Sequence, residues 1–209
     1  SQCIKIVDLD YSKPLEVIMK VTAFNGSPRK GGNTELMLKK VLEPLIEEGI
    51  ETELVQIGGK DIRGCTSCWQ CLEKKNGRCV IETDILNSCL EKMYASDAII
   101  LGSPSYFSGM TPEMKSLIDR AGVVSHVSGM LLSRKIGAAV AVHRRGGSVS
   151  VFDSINHMFL MNGMIVPGST YWNFGVGMEK GDVLKDEEAM RNMRDLGENI
   201  AWLLRKIKS

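Results

Sequence analysis

From Glu16 onward, short apolar runs alternate with longer stretches whose apolar residues recur at helical spacing. An apolar run over 17–24 predicts a strand. From Asn33, the residues Leu38, Val41, Leu42, Leu45 and Ile46 share one face of a helix. Pro44 lies inside that pattern and is expected to kink or shorten the helix. A second strand is read over 51–57, then a long connection over 58–80, then a helix over 83–95 with Asp84 near its start. Residues 97–104, DAIILGSP, form the continuous apolar run of a strand buried on both faces. Thr111-Pro112, a capping residue and a first-turn proline, starts a helix over 111–121. A strand over 135–143 and a helix over 149–162 follow. A last strand is expected near 164–166, with a continuation at 172–174 after Pro167-Gly168 also compatible with the pattern. A helix over 186–207 closes the chain, with Met193, Leu196, Ile200, Leu203 and Ile207 on one face. The charge run Lys185 to Glu188 reads as its solvated, acidic first turn. Met158, Phe159, Met161 and Met164 read as packing residues between helix and sheet.

Strands and helices in alternation predict an α/β fold, a three-layer sandwich around a five-stranded parallel sheet. Residues 1–16 read as an N-terminal arm or an extra strand, and 17–209 as one domain with a cysteine-rich insertion at 58–80. In such sheets ligands bind beyond the carboxyl ends of the strands, where strand order reverses. For the flavodoxin-like order 2-1-3-4-5 that point lies between the first and third strands. The loops leaving those two strands are FNGSPRKGGNT (Phe24 to Thr34) and SPSYFSGM (Ser103 to Met110).

The first of these loops has the composition of an anion cradle. Free N–H groups at a helix start carry partial positive charge, the glycines permit close approach, and Ser27, Asn33 and Thr34 add side-chain donors. It matches neither the GxxxxGK[ST] phosphate loop nor the GxGxxG dinucleotide fingerprint, and a glycine-rich turn without a ligand is the plain alternative. The second loop, with Pro104, Ser105, Tyr106, Phe107 and Ser108, offers apolar surface and edge donors to a flat heterocycle, or else two aromatics folded into the core. After the fourth strand comes HRRGGSVS, with His143, Arg144, Arg145, Gly146 and Gly147 at the same sheet edge. One helix terminus for one phosphate and one aromatic loop for one ring suit a ligand that joins a single phosphate to an aromatic ring.

At 209 residues, with a formal charge of +1, there is no electrostatic case for nucleic acid or an anionic membrane surface. No apolar run reaches the roughly 20 residues that cross a bilayer, and no secretory signal is read at the start. Four of the six cysteines fall within fifteen residues, which points to a metal or redox cluster in a reducing cytoplasm. Cys65, Cys68, Cys71 and Cys79 are spaced CxxCxxCx₇C. Three outcomes fit that spacing: an iron–sulfur cluster, a zinc ion, or free redox-active thiols. Cys3 and Cys89 read as packing residues.

The three loops resemble those of the NADPH-dependent FMN reductase-like family of flavodoxin-fold proteins, over about residues 17 to 205. The resemblance implies that Ser27, Arg29, Asn33 and Thr34 hold the FMN phosphate. It implies that Pro104, Ser105, Tyr106, Phe107 and Ser108 contact the ring, and that His143 to Gly147 lie by its pyrimidine edge. An arginine or backbone donor there would stabilise the anion formed on reduction. Within that family the cysteine run is similar to the compact motif of the iron–sulfur flavoproteins, which implies a [4Fe–4S] cluster held by Cys65, Cys68, Cys71 and Cys79. Two functions follow from the resemblance. One is an oxidoreductase passing hydride from NAD(P)H to FMN and on to a flavin, quinone or oxygen-species acceptor. The other is an electron carrier exchanging electrons with a ferredoxin-like donor. A homodimer or homotetramer is implied as well.

Overall fold

The computed structural model describes residues 18–208; the segment read as an arm or extra strand lies outside them. Five parallel strands form one sheet: β1 (Lys20–Asn25), β2 (Glu51–Gln56), β3 (Ala98–Pro104), β4 (Ile136–His143) and β5 (Phe174–Val176). Their order is β2-β1-β3-β4-β5, the flavodoxin-like arrangement expected from the sequence. Among the described residues, six helices accompany them: α1 (Asn33–Glu47), α2 (Gln70–Lys74), α3 (Leu86–Ala95), α4 (Pro112–Val127), α5 (Ser148–Met161) and α6 (Glu187–Lys208), with a 3-10 turn at Asp182–Lys185.

The central strands are apolar throughout because both of their faces are covered. Ile99 and Leu101 of β3 point into a core shared with α3, α4 and α5. Ala98 and Ile100 point the other way, into a core shared with α1 and α6, as the two-residue period of a strand requires. In register, Ala23 and Phe24 of β1 lie beside Ile100 and Leu101 of β3, so both strands deliver their loops to one sheet edge.

Several expectations are corrected. The chain near 164–166 contributes only a single bridge, Ile165 to Ile136, and the last strand lies farther on, at Phe174–Val176. After Pro167-Gly168 the backbone leaves the sheet edge and returns at Asn173, whose carbonyl accepts from Ala141 N–H at 3.0 Å. Pro44 does not shorten α1, which runs on to Glu47. It sits in the last turn, where its missing N–H leaves only the Lys40 carbonyl without a helical donor. The helix expected over 83–95 begins at Leu86, because Asp84 stands outside it and accepts from Leu86 N–H at 3.1 Å. The helix started by Thr111-Pro112 extends to Val127. Met161 is exposed, so only Met158, Phe159 and Met164 of that group pack in the core.

Candidate functional site

The loop after β1 is held by buried polar side chains on both flanks. The side-chain oxygen of Asn25 accepts from Ser27 N–H at 3.0 Å, and its amide donates to Gln56 Oε1 at 2.7 Å. Gln56 in turn donates to the carbonyls of Ser27 and Gly58, each at 2.7 Å. Gly26 N–H donates to the Gly102 carbonyl at 2.8 Å. The Thr111 hydroxyl, which caps α4, donates to the Gly26 carbonyl at 2.9 Å. One strand-edge loop is thereby fixed to the other. The N-cap of α1 is Gly32, which has no side chain to accept from the first-turn N–H groups. That end of a 15-residue helix therefore keeps its donors and its dipole for an external anion.

Ser27, Arg29, Asn33 and Thr34 all line one cavity of about 230 Å³ with Pro104, Ser105 and Tyr106, and with His143 and Arg144. These nine sequence-predicted residues come from three separate loops. Phe107, Ser108, Arg145, Gly146 and Gly147 do not line it. Phe107 is fully exposed, and it and Ser108 both adopt left-handed backbone, at φ 48° and 62°. Non-glycine residues hold that conformation at a cost, and such strain clusters at ligand-binding loops. Gly147 (φ 91°) packs its Cα against the same loop; a Cβ there would stand 2.5 Å from Ser105 Oγ.

A fourth loop, absent from the motifs read in the sequence, completes the cavity: Gly177, Met178 and Lys180 line it too. Arg29 donates to the Met178 carbonyl at 3.0 Å. The Asn33 amide donates to the Glu179 carbonyl at 2.9 Å, and its oxygen accepts from Gly181 and Val183 N–H. Most of the hydrogen-bonding capacity of Asn33 is thus spent on tying this loop to α1. Lys180 Nζ lies over Gly31, so it adds positive charge where the helix end already supplies some. His143 Nδ1 is 2.7 Å from Ser148 Oγ, and burial holds its pKa below the ordinary value, against the pull of Asp186. Arg29, Arg144 and Lys180 bring positive charge to the cavity lining.

The cysteines form a second site. Ser67 and Trp69 both take left-handed backbone (φ 52° and 57°), which curls the CxxCxxC run. The short helix α2, not foreseen in the sequence, and a turn through Asn76 and Gly77 absorb the seven residues before Cys79. Cys65, Cys68, Cys71 and Cys79 consequently line one cavity of about 480 Å³, which has no residue in common with the first. Among the described residues, no three His, Cys, Asp or Glu side chains converge to hold a single ion. Four thiols on one cavity are a donor set open to an iron–sulfur cluster and to zinc alike.

Cys79 is the most firmly anchored of the four. Asn87 accepts from Cys79 N–H and donates to its carbonyl, both at 2.9 Å. Arg120, on α4, donates to its sulfur at 3.2 Å. Neither residue belongs to a recognisable motif. The available signal was an arginine at helical spacing among Met114, Leu117, Ala121 and Val124, all buried. Thiol reactivity should follow this environment. With the metal-free protein at about pH 8, exposed Cys65 and Cys68 are expected to alkylate first. Cys71 should lag, because burial pushes its thiol up. Buried Cys89, pushed up to about 11, should resist until unfolding. Peptide mapping over time checks the order, and early labelling of Cys89 would contradict it.

A parallel sheet of order 2-1-3-4-5 covered by helices, with a cavity across its switch point, defines a flavodoxin-like protein. Residues 19–179 match the family described as NADPH-dependent FMN reductase, and the chain belongs to that family of FMN flavoproteins. It is 39% identical over 197 residues to an iron-sulfur flavoprotein of Methanocaldococcus jannaschii, covering 91% of this chain and 100% of that one. Among solved structures it is similar to RosB with a bound 8-demethyl-8-formylriboflavin-5'-phosphate (TM-score 0.71, 20% identity, 91% of this chain and 80% of that one). It is similar as well to a flavodoxin from the domain Archaea (TM-score 0.58, 17% identity, 91% of this chain and 100% of that one).

Proposed function

We propose that this flavoprotein is an electron-transfer protein carrying FMN in the first cavity and a [4Fe–4S] cluster in the second, serving a ferredoxin-like donor. The observation that carries this reading is the convergence of all four motif cysteines on one cavity, separate from the flavin site. The iron-sulfur flavoprotein relative, similar over its whole length, supports it. The reading implied first by the family resemblance, an NAD(P)H-dependent reductase of a flavin, quinone or oxygen species, stands second. It is favoured by the family match itself.

In either case the same residues hold FMN. The α1 N-terminus, Ser27, Thr34, Arg29 and Lys180 neutralise the phosphate by charge-assisted hydrogen bonds. Pro104, Ser105 and Tyr106 would contact the ring, and His143 and Arg144 would lie by its edge, where a cation would stabilise negative charge gained on reduction. At about 230 Å³ the cavity is smaller than a typical ligand pocket of roughly 300–1,000 Å³. Part of the ring is therefore expected to lie outside it, against exposed Tyr106 and Phe107. When bound, FMN would supply a centre that takes electrons singly or in pairs and a cluster one that takes them singly; the chain supplies binding, orientation and electrostatics.

The test is an anaerobic reconstitution with FMN, iron and sulfide, followed by cofactor assays and reduction trials. Flavin with iron and sulfide, reduced by ferredoxin and not by NAD(P)H, is the expected result. Flavin without iron, reduced by NAD(P)H, would overturn this reading in favour of the reductase.

A further inference from the structure

A guanidinium buried in a protein core is costly, because several kcal/mol of hydration must be replaced. Arg120 is 1% exposed. Its Nη1 donates to Asp84, whose side chain is equally buried, and to the Arg63 carbonyl at 3.0 Å. Its Nη2 donates to Cys79 Sγ at 3.2 Å and to the Ile81 carbonyl at 3.3 Å. Its Nε has no partner. Asp84 is itself fixed, accepting from Arg63 and Leu86 N–H at 2.9 and 3.1 Å. Arg63 precedes the cysteine run and Ile81 follows it, so one rigid cation bridges both ends of the segment and faces a sulfur inside it. A purely structural pin could have used carbonyls alone. Here a charged N–H is spent on a thiol, while Nε stays unsatisfied.

We propose that Arg120 is a positioning residue of the cysteine site, and that its charge and its hydrogen bond to Cys79 raise the reduction potential of the cluster held there. The inference rests on the cluster reading given above. Hydrogen bonds to ligand sulfurs and local net charge are levers on iron–sulfur potentials. A cation at a ligand sulfur favours the state carrying one more electron. The couple concerned is the gain of one electron by the oxidised cluster from an external reductant, a reduced ferredoxin in function and dithionite in the assay. No bond is made or broken by Arg120. Asp84 keeps the guanidinium in place.

The test uses the full chain reconstituted anaerobically with FMN, iron and sulfide, as wild type, R120K and the paired variant R120Q/D84N. The pair avoids leaving a lone buried carboxylate, and because it removes one charge of each sign it leaves the net charge unchanged and reads the loss of the cationic N–H donor at the Cys79 sulfur itself. Iron and sulfide per chain are assayed, and the cluster is titrated by EPR at poised potentials. The expected result is wild-type iron content in all three proteins. At a fixed poise, the ratio of reduced to oxidised cluster in R120Q/D84N should fall about tenfold, which is about 59 mV for a one-electron couple. R120K, which keeps the charge and loses the planar fork, should shift less in the same direction. Equal potentials with equal iron would overturn the inference and reduce Arg120 to a structural pin. Should the paired variant lose iron, R120K decides alone: a lower potential supports the inference and an unchanged one overturns it. Wild type that takes up no iron would instead overturn the cluster reading, and this inference with it.

Discussion

Replacing Asp84 with alanine should lower the free energy of unfolding by about 3–5 kcal/mol, the usual loss when one partner of a buried ion pair is removed. The substitution strands Arg120, which is 1% exposed, and orphans the N–H groups of Arg63 and Leu86. Urea unfolding of the wild type and D84A checks the magnitude; a loss under about 1 kcal/mol would mean the pair is not buried as described. R120Q/D84N should lose much less than the sum of the two single substitutions, since neither charge is left alone. The pair also sets a pH dependence. Burial pushes the Asp84 carboxyl up, but hydrogen bonds from Arg120 and from the two N–H groups outweigh it and hold the pKa below the ordinary value. A carboxylate with a depressed native pKa contributes stability that is complete above its unfolded pKa, about 3.9. That contribution is lost as pH falls through the native value. Wild type should therefore lose stability more steeply than R120Q/D84N below about pH 4.

Gly58→Ala should weaken FMN binding about 100-fold while leaving the fold intact. A Cβ at Gly58 would stand 2.3 Å from the Ser27 carbonyl carbon and 2.5 Å from the Gly26 oxygen. Those atoms are backbone and cannot swing aside, so the phosphate loop itself must move. One or two charge-assisted hydrogen bonds to the phosphate, each worth about 1.5–3 kcal/mol, would be lost with it. Flavin fluorescence titration measures the affinity directly. Ligand at 100 times its Kd adds about 2.7 kcal/mol of stability, so wild type should melt higher with FMN at a concentration where G58A does not. Gly168→Ala, whose Cβ would meet nothing within 4 Å, serves as the control and should bind normally. Normal binding by G58A would remove the loop from the flavin site.

Helix and strand identity, the parallel α/β class and the two loops at the switch point were legible because each depends on residues close in sequence. Period-two and period-3.6 patterns need only their own neighbours, and the Thr111-Pro112 start of α4 is local chemistry. Patterns fail where a neighbour is distant. The last strand is set by the approach of Asn173 to β4, so 164–166, equally apolar, was the natural but wrong place to read it. The spacing of Cys79 from Cys71 says nothing of the short helix α2 and the bend at Asn76 and Gly77 that bring it to the same cavity. The Met178–Lys180 loop closes the first cavity by contacts spanning 146 to 149 residues, through Asn33 and Arg29, which no motif encodes. Arg120 meets Cys79 across 41 residues.

The sequence alone thus determined which loops stand at the two cavities, since a glycine-rich helix start, an aromatic turn and a cysteine run declare themselves by composition. Only the tertiary structure decided which side chains are free to act. Asn33 is largely occupied by the loop it anchors, Lys180 stands over the cradle, and four cysteines share a cavity with a buried arginine. The physical reason is that a polar group's function depends on whether its hydrogen bonds are already satisfied. That depends on residues brought near by the fold, not on those beside it in the chain.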